Sequence, residues 1–353
     1  MSEGLKCILI DKREIVNGSS AATTSMLQYE IDIPLYRLKE LIGTEAAVAC
    51  YQACSQAIDK LGKLAQHIDS EAGFRKKHSF YYASRKKDVA NLLKEYHARQ
   101  SAGFEVNWLS EQEIKHKFDL TGAYGGILSK QGASIDAFCF AHELLKHNTQ
   151  KGLKIYDKTE LIRVINKKQR TVAVLSTAAK IATKKIIYCT GYETTELIPE
   201  KFVELLSTFA IVSEVDETLY NSYQDLLIWN TAQPYLYMRT TDDGRFLIGG
   251  EDEPFKDPIK RDNLIDQKSH KLEKSFNKIF NKPFYCDFNW AGTFGSTKDG
   301  LPYIGEHKKF KNAYFVCGFG GNGITFSVTA MEMVSCWLNR KDHALSKCFR
   351  FGR

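Results

Sequence analysis

The chain has 353 residues, long for one compact domain, so two lobes are expected. Its 43% hydrophobic and 26% charged residues supply enough apolar material for a core and exclude large-scale disorder. The formal net charge is +7, but the basic residues are dispersed in short runs such as Arg75-Lys76-Lys77 and Arg85-Lys86-Lys87. No basic stripe interleaves with aromatics, which argues against a nucleic-acid partner.

Nine cysteines are scattered with no C-x-x-C pair, and no signal-peptide pattern opens the sequence. Reduced thiols in a cytoplasm are the expectation. No apolar run reaches the length of a membrane span, so no membrane partner is expected. His142 and His147 flank HELLKH, but a five-residue spacing does not put both on one helical face, so no metal is expected.

In chain order, KCILID (6–11) is a short apolar run ending in an acid, the pattern of a buried strand. Asn17-Gly18-Ser19-Ser20 and the small polar run AATTS follow. Ala46, Ala49, Cys50, Ala53, Ala57, Leu61 and Leu64 step by three and four, so a long helix is expected, opened by Gly43-Thr44. Residues 135–151 read as a second helix with Asp136 as its N-cap. TVAVLST (171–177) and KIIYCT (185–190) are β-branched strands. YLYMR (235–239) and RFLIGG (245–250) flank a 240–244 turn ending in Asp-Gly, a hairpin pattern. Residues 262–280 read as an amphipathic helix, AYFVC (313–317) as a buried strand, and Ile324, Val328, Met331, Val334 and Leu338 as a last helix. Strand–helix alternation at both ends around a strand-rich middle predicts a parallel α/β lobe with an inserted β-rich lobe.

Between AYFVC and that last helix, Gly318, Gly320 and Gly323 spell G-x-G-x-x-G. A dinucleotide fingerprint also needs a following strand that ends in a ribose-binding acid about 20 residues on. Only one helix and NRKDHALSKCFRFGR follow, so an NAD-type pyrophosphate cradle is not expected there. KCILID with Lys12 fits the second strand of such a unit instead, with Asp11 as the ribose acid. Its first strand, glycine turn and helix would take roughly 30 residues, more than precede it. Taken alone, KCILID reads more readily as a plain opening strand.

The ordered series of blocks resembles the D-amino-acid oxidase/glycine oxidase (DAO) family of FAD-dependent oxidoreductases. CILIDKREIVNGSSAATTSML resembles that family's second strand and the loop along the flavin. GASIDAFCFAHELLKHNTQKGLKIYDKTELIRV, which contains Leu161, resembles its helix and strand near the adenine. KKIIYCTGYET resembles the strand closing beside the cofactor, YLYMRTTDDGRFLIGG the substrate-lobe hairpin, and WAGTFGSTKDGLPYIGE with NAYFVCGFGGNGIT the C-terminal signature. The resemblance covers essentially the whole chain. It implies a Rossmann-like FAD lobe lacking its first βα unit (1–75, 130–200 and 290–353) and an antiparallel β-rich substrate lobe (76–129 and 201–289).

The resemblance also implies site roles. FAD is expected to be held non-covalently by Asp11, Lys12, Ser19, Ser20, Thr23, Thr24, Ser25, Met26, Leu27, Leu161, Thr190, Gly191, Gly318, Gly320, Gly321, Asn322, Gly323, Ile324 and Thr325. The glycine loop would lead into a helix whose N-terminus stabilises negative charge on the reduced flavin ring. Tyr235, Tyr237 and Trp290 are candidates for the substrate wall, or core aromatics. An arginine that commonly pairs the substrate carboxylate just before T-x-D-G is replaced by Phe294. Arg239 could substitute for it, or be an ordinary strand residue. No general base stands out. The expected activity is oxidation of an amine or amino-acid-like small molecule by hydride transfer to flavin. The alternative is an N-terminally truncated, inactive relative with a binding or assembly role.

Overall fold

The computed structural model describes residues 4–168 and 170–353. Its largest element is an eight-stranded mixed sheet. From edge to edge the strands are Cys286–Ser296, Glu204–Ser213, Phe246–Glu253, Tyr237–Thr240, Leu226–Asn230, His78–Tyr82, Gly126–Ser129 and Val106–Leu109. All neighbours pair antiparallel except Leu226–Asn230 with His78–Tyr82, which is parallel. The expected hairpin is present, with Thr240 opposite Phe246 and Gly244 at φ +83° in its turn. Its first strand begins at Tyr237 rather than at Tyr235.

The expected 262–280 helix forms over Ile265–Phe280 and lays Leu272, Phe276, Ile279 and Phe280 on this sheet. Phe276 stacks on Phe280 and packs edge-on against Phe246. Lys268 lies on the same buried face because its ammonium meets Glu251 at 3.3 Å and Glu253 at 2.6 Å. A buried charge needs such partners.

The parallel strands expected at both ends of the chain form two separate pieces. Ile8–Ile10 pairs only with Lys154–Tyr156, and Ile186–Tyr188 pairs with Ala313–Cys317, which also carries Tyr303–Gly305. Gly132–Ser134 joins Met26–Gln28 and Arg75–Lys76, and Leu161–Asn166, Thr171–Leu175 and Lys180–Thr183 form a meander. Helix Ala137–Gln150 is capped as expected: Asp136 accepts from the Cys139 N–H at 2.9 Å.

Helix Thr44–His67 differs from expectation in its facing. Its buried stripe is Ala47, Cys50, Tyr51, Cys54, Ile58 and Leu61, while Ala46, Ala49 and Ala53 are only half-buried. Alanines carry little burial energy, so the larger Tyr51 and Ile58 decide which side faces in. The Tyr51 hydroxyl donates to the Ile33 carbonyl at 2.9 Å.

One buried ion cluster joins the 26–32 segment to the eight-stranded sheet. Arg99, on helix Val89–Ser101, bonds Glu95 at 2.7 Å and Glu30 at 3.0 Å, all three side chains being about 1% exposed. Its guanidinium lies over the rings of Tyr29, Tyr81 and Trp229. Removing the cation from such a cluster leaves two buried carboxylates unpaired. Arg99→Met is therefore expected to lose about 3–5 kcal/mol of stability by urea unfolding, and a loss below 1 kcal/mol would contradict this account.

Candidate functional site

One large cavity, of 2650 Å³, runs between the parallel strands and the eight-stranded sheet. Small-molecule sites are usually about 300–1,000 Å³, so this one has room for more than a small substrate. At one end it is bordered by Ile8–Ile10 and Ile186–Tyr188, and at the other by the glycine loop and the sheet face carrying Trp290 and Tyr237.

The first end lies where the parallel strands finish, the usual place for ligands in such sheets. Asp11 follows Ile8–Ile10 and accepts from the Arg13 N–H at 2.9 Å. Lys12 and Arg13 both reach Glu193 across the cavity rim, at 3.0 and 2.7 Å. Thr190 bonds Thr194 at 2.8 Å, and Gly191 takes φ +54° with open space where a Cβ would stand. Leu161 lines the same end.

Ser19, Ser20, Thr23, Thr24 and Met26 line the middle of the cavity. Trp290 lines it too, and its indole N–H donates to the Ala22 carbonyl at 2.9 Å. Three expected residues do not line it. Ser25 (φ +52°) and Leu27 point into the core. Arg239 turns away, its Nε donating to the Thr24 carbonyl at 2.6 Å and another nitrogen to the Thr240 carbonyl at 2.9 Å. It thus braces the 23–25 loop from behind rather than facing a substrate. Burial pulls its pKa down to about 10.

At the second end, Gly318, Gly320, Gly321, Asn322, Gly323, Ile324 and Thr325 all line the cavity, facing Tyr235, Tyr237 and Phe294. Gly318 and Gly320 take φ +70° and +59°, which glycine alone adopts freely. A side chain on Gly320 would collide with the Asp32 carboxylate. The Gly320 N–H donates to the Gly295 carbonyl at 2.9 Å, and the Gly321 N–H to Asp32 Oδ2 at 3.0 Å. Helix Gly323–Leu338 begins here without a side-chain cap, and the Asn322 side chain turns instead to the neighbouring segment, its Nδ2 donating to the carbonyls of Gln28 and Glu30 at 3.2 and 2.8 Å. The first-turn N–H groups of Gly323, Ile324 and Thr325 have no intrahelical acceptor and border the cavity.

Asp32 was not expected in the site. Residues 27–32 alternate: Leu27, Tyr29 and Ile31 are buried in the core, while Gln28, Glu30 and Asp32 line the cavity, which Ile31 also touches. That period of two is legible in MLQYEID. Asp32 is open to the cavity space yet enclosed by protein beyond it, and this enclosure raises its pKa, the Gly321 N–H opposing. Gln28 Nε2 and Glu30 Oε2 are buried without a hydrogen-bond partner. Burial also raises the Glu30 carboxyl, with Arg99 opposing. Behind this wall, the Thr208 and Tyr237 hydroxyls bond at 3.3 Å beside Asp252, whose pKa burial pushes to about 6.

Residues 2–336 match the family model for the DAO FAD-dependent oxidoreductases. The chain belongs to that family. The chain is similar to YhfW of Bacillus subtilis (strain 168), described as a Rieske 2Fe-2S iron-sulfur protein, at 22% identity over 99% of this chain and 67% of that protein. Glycine oxidase from Geobacillus kaustophilus is similar in structure at a TM-score of 0.81, 18% identity, 99% of this chain and 93% of that one. L-α-glycerophosphate oxidase from Mycoplasma pneumoniae, solved with FAD bound, is similar at a TM-score of 0.79, 14% identity, 94% of this chain and 88% of that one.

FAD is the cofactor of the DAO family, and the cavity suits it on its own observations. Three open N–H groups at a helix N-terminus suit an electron-rich ring edge. The orphaned Gln28 amide offers a further donor in the same wall. Among the described residues no group of three or more His, Cys, Asp or Glu could hold a metal.

Two outcomes follow. Gly320→Ala must strain the backbone or displace Asp32, so FAD affinity should fall at least about tenfold, the equivalent of 1.4 kcal/mol, as read by fluorescence titration. Unchanged affinity would put the ring elsewhere. For Asp252, a raised folded-state carboxyl pKa means the native state is penalised at neutral pH. That penalty fades as pH falls through about 6 and ends near the ordinary value of 3.8. Asp252→Asn should raise thermal stability at pH 8 and lose that advantage toward pH 4.

Proposed function

We propose that this DAO-family chain oxidises an amine or amino-acid-like small molecule, with FAD held non-covalently along the cavity. The observation that carries this reading is the uncapped N-terminus of helix Gly323–Leu338, opening on the cavity at the glycine loop. When bound, FAD would supply the hydride acceptor for oxidation of the carbon beside nitrogen. The protein's own part is to hold and orient.

In this reading Asp11 meets the ribose, with Lys12 beside it, and Leu161 lies near the adenine. Thr190 and Gly191 let the backbone approach the cofactor closely. Ser19, Ser20, Thr23, Thr24 and Met26 line the ribityl chain, Ser25 and Leu27 supporting them from the core. The N–H groups of Gly323, Ile324 and Thr325 stabilise negative charge on the reduced ring, with Gly318, Gly320, Gly321 and Asn322 shaping the approach. Tyr235, Tyr237, Trp290 and Phe294 wall the substrate space and exclude water. The parallel strands and the glycine loop then form the FAD lobe, and the eight-stranded sheet the substrate lobe. The glycine oxidase and glycerophosphate oxidase likenesses support an oxidase of a small polar molecule.

Purified protein should show flavin absorbance, or gain it on reconstitution with FAD, and the flavin should bleach anaerobically with an amine or amino acid. Binding of NAD(H) without FAD would overturn the reading. FAD uptake with no bleaching by any such compound would favour a binding role.

A further inference from the structure

The glycine-loop end of the cavity has a marked charge bias. Four segments wall it: residues 20–36, 229–237, 290–295 and 318–325. None contains a lysine or arginine. Phe294 lines the wall where the family resemblance places a carboxylate-binding arginine. Two arginines outside these segments also line the cavity, and both are engaged, Arg85 by Asp88 at 3.1 Å and Arg261 by Asp262 at 2.8 Å and Thr293 at 3.0 Å. Arg99 lies behind Tyr29 and is outnumbered by Glu30 and Glu95.

The same wall presents acids. Asp32 lines the cavity with its Oδ2 held by the Gly321 N–H at 3.0 Å. Two residues earlier, Glu30 lines the cavity with its side chain about 1% exposed and Oε2 unpartnered. An anionic substrate group placed beside the glycine loop would meet the Asp32 carboxylate, while Arg85 and Arg261 are already engaged by acids and Arg99 is sealed against Glu30, an arrangement that selects against it. A cation would meet a carboxylate, an orphaned acceptor and the faces of Tyr235, Tyr237 and Trp290, the composition that recognises ammonium groups.

We infer that the molecule oxidised at this site is a cationic amine without an α-carboxylate, its ammonium held by Asp32 beside the glycine loop. The inference rests on reading the cavity as a flavin oxidoreductase site. It adds a proton acceptor, because an ammonium must shed one proton before its neighbouring carbon can release a hydride. Asp32 Oδ1 takes that proton and becomes the neutral acid. Burial makes Asp32 a stronger base than an exposed carboxylate.

Matched pairs that differ only by the carboxylate decide the matter: n-butylamine against norvaline, and benzylamine against phenylglycine. Each is titrated calorimetrically into wild-type protein, Asp32→Asn and Arg261→Gln, and its kcat/KM is measured on the FAD-loaded enzyme. Asn keeps an acceptor for the Gly321 N–H, so Tm and flavin spectrum should be preserved. The expected result is that at least one amine binds and is oxidised in preference to its carboxylated partner. Asp32→Asn should then raise the amine's Kd and KM by at least about tenfold, with Arg261→Gln neutral. The inference is overturned if neither amine binds, if the carboxylated partners are preferred and Arg261→Gln abolishes that preference, or if Asp32→Asn leaves amine binding unchanged. Should the protein take up no FAD, the oxidoreductase reading fails, and calorimetry with the amines still decides the role of Asp32.

Discussion

The guanidinium of Arg99 is the contact on which the rest of the site depends. It holds Glu30 on one side and Glu95 on the other, beneath three aromatic rings, and all three charged side chains are sealed from water. Glu30 belongs to the segment along the glycine loop, Glu95 and Arg99 to the helix against the eight-stranded sheet. Ion clusters this buried contribute little net stability against a hydrophobic replacement, but they punish any arrangement that separates their members. The cluster therefore acts as a register pin. With Glu30 fixed, the alternation of residues 27–32 places Gln28 and Asp32 on the cavity side.

The glycine loop is the second half of that arrangement. Asn322 spends its amide on the carbonyls of Gln28 and Glu30, and Gly321 donates to Asp32. With the Asn322 side chain turned to that segment, the helix beginning at Gly323 has no side-chain cap, which costs about 1 kcal/mol. The open N–H groups border the cavity, where a ligand can satisfy them. The same hydrogen bonds thus align the segment and expose the helix terminus.

Much of this was legible in the sequence. The glycine loop, the Asp136 cap, the 240–244 hairpin and the last helix follow from local signals, because a positive φ, a capping acid and a 3.6-residue period each leave a mark within a few residues. Asp32 also left such a mark in MLQYEID, but an alternating run of seven residues inside a supposed loop carries little weight without knowing which face is buried. Arg239 was misplaced for a related reason. Its strand position was right, but which backbone carbonyl a long side chain reaches depends on a loop 215 residues away. Arg99 was invisible, since nothing near it in sequence distinguishes a buried guanidinium from a helix-surface one.

The net charge of +7 acquires a meaning in space that it lacked along the chain. Lys6, Lys12, Arg13, Arg163, Lys184, Lys185, Lys309 and Lys311 come from four separate stretches, yet all border the cavity. Only some are neutralised: Lys12 and Arg13 share Glu193, and Lys309 meets Glu200. Fewer cations border the cavity on the side of Asp32, where Arg85 and Arg261 are each engaged by an acid. An uneven distribution of charge along a cavity orients whatever enters it. A dinucleotide carries its negative charge on the pyrophosphate, which in the proposed reading favours the lysine-rich end and leaves the ring to the glycine loop. Dispersal along the sequence made these lysines look like ordinary solvated surface; the fold gathers them on one side of a single space.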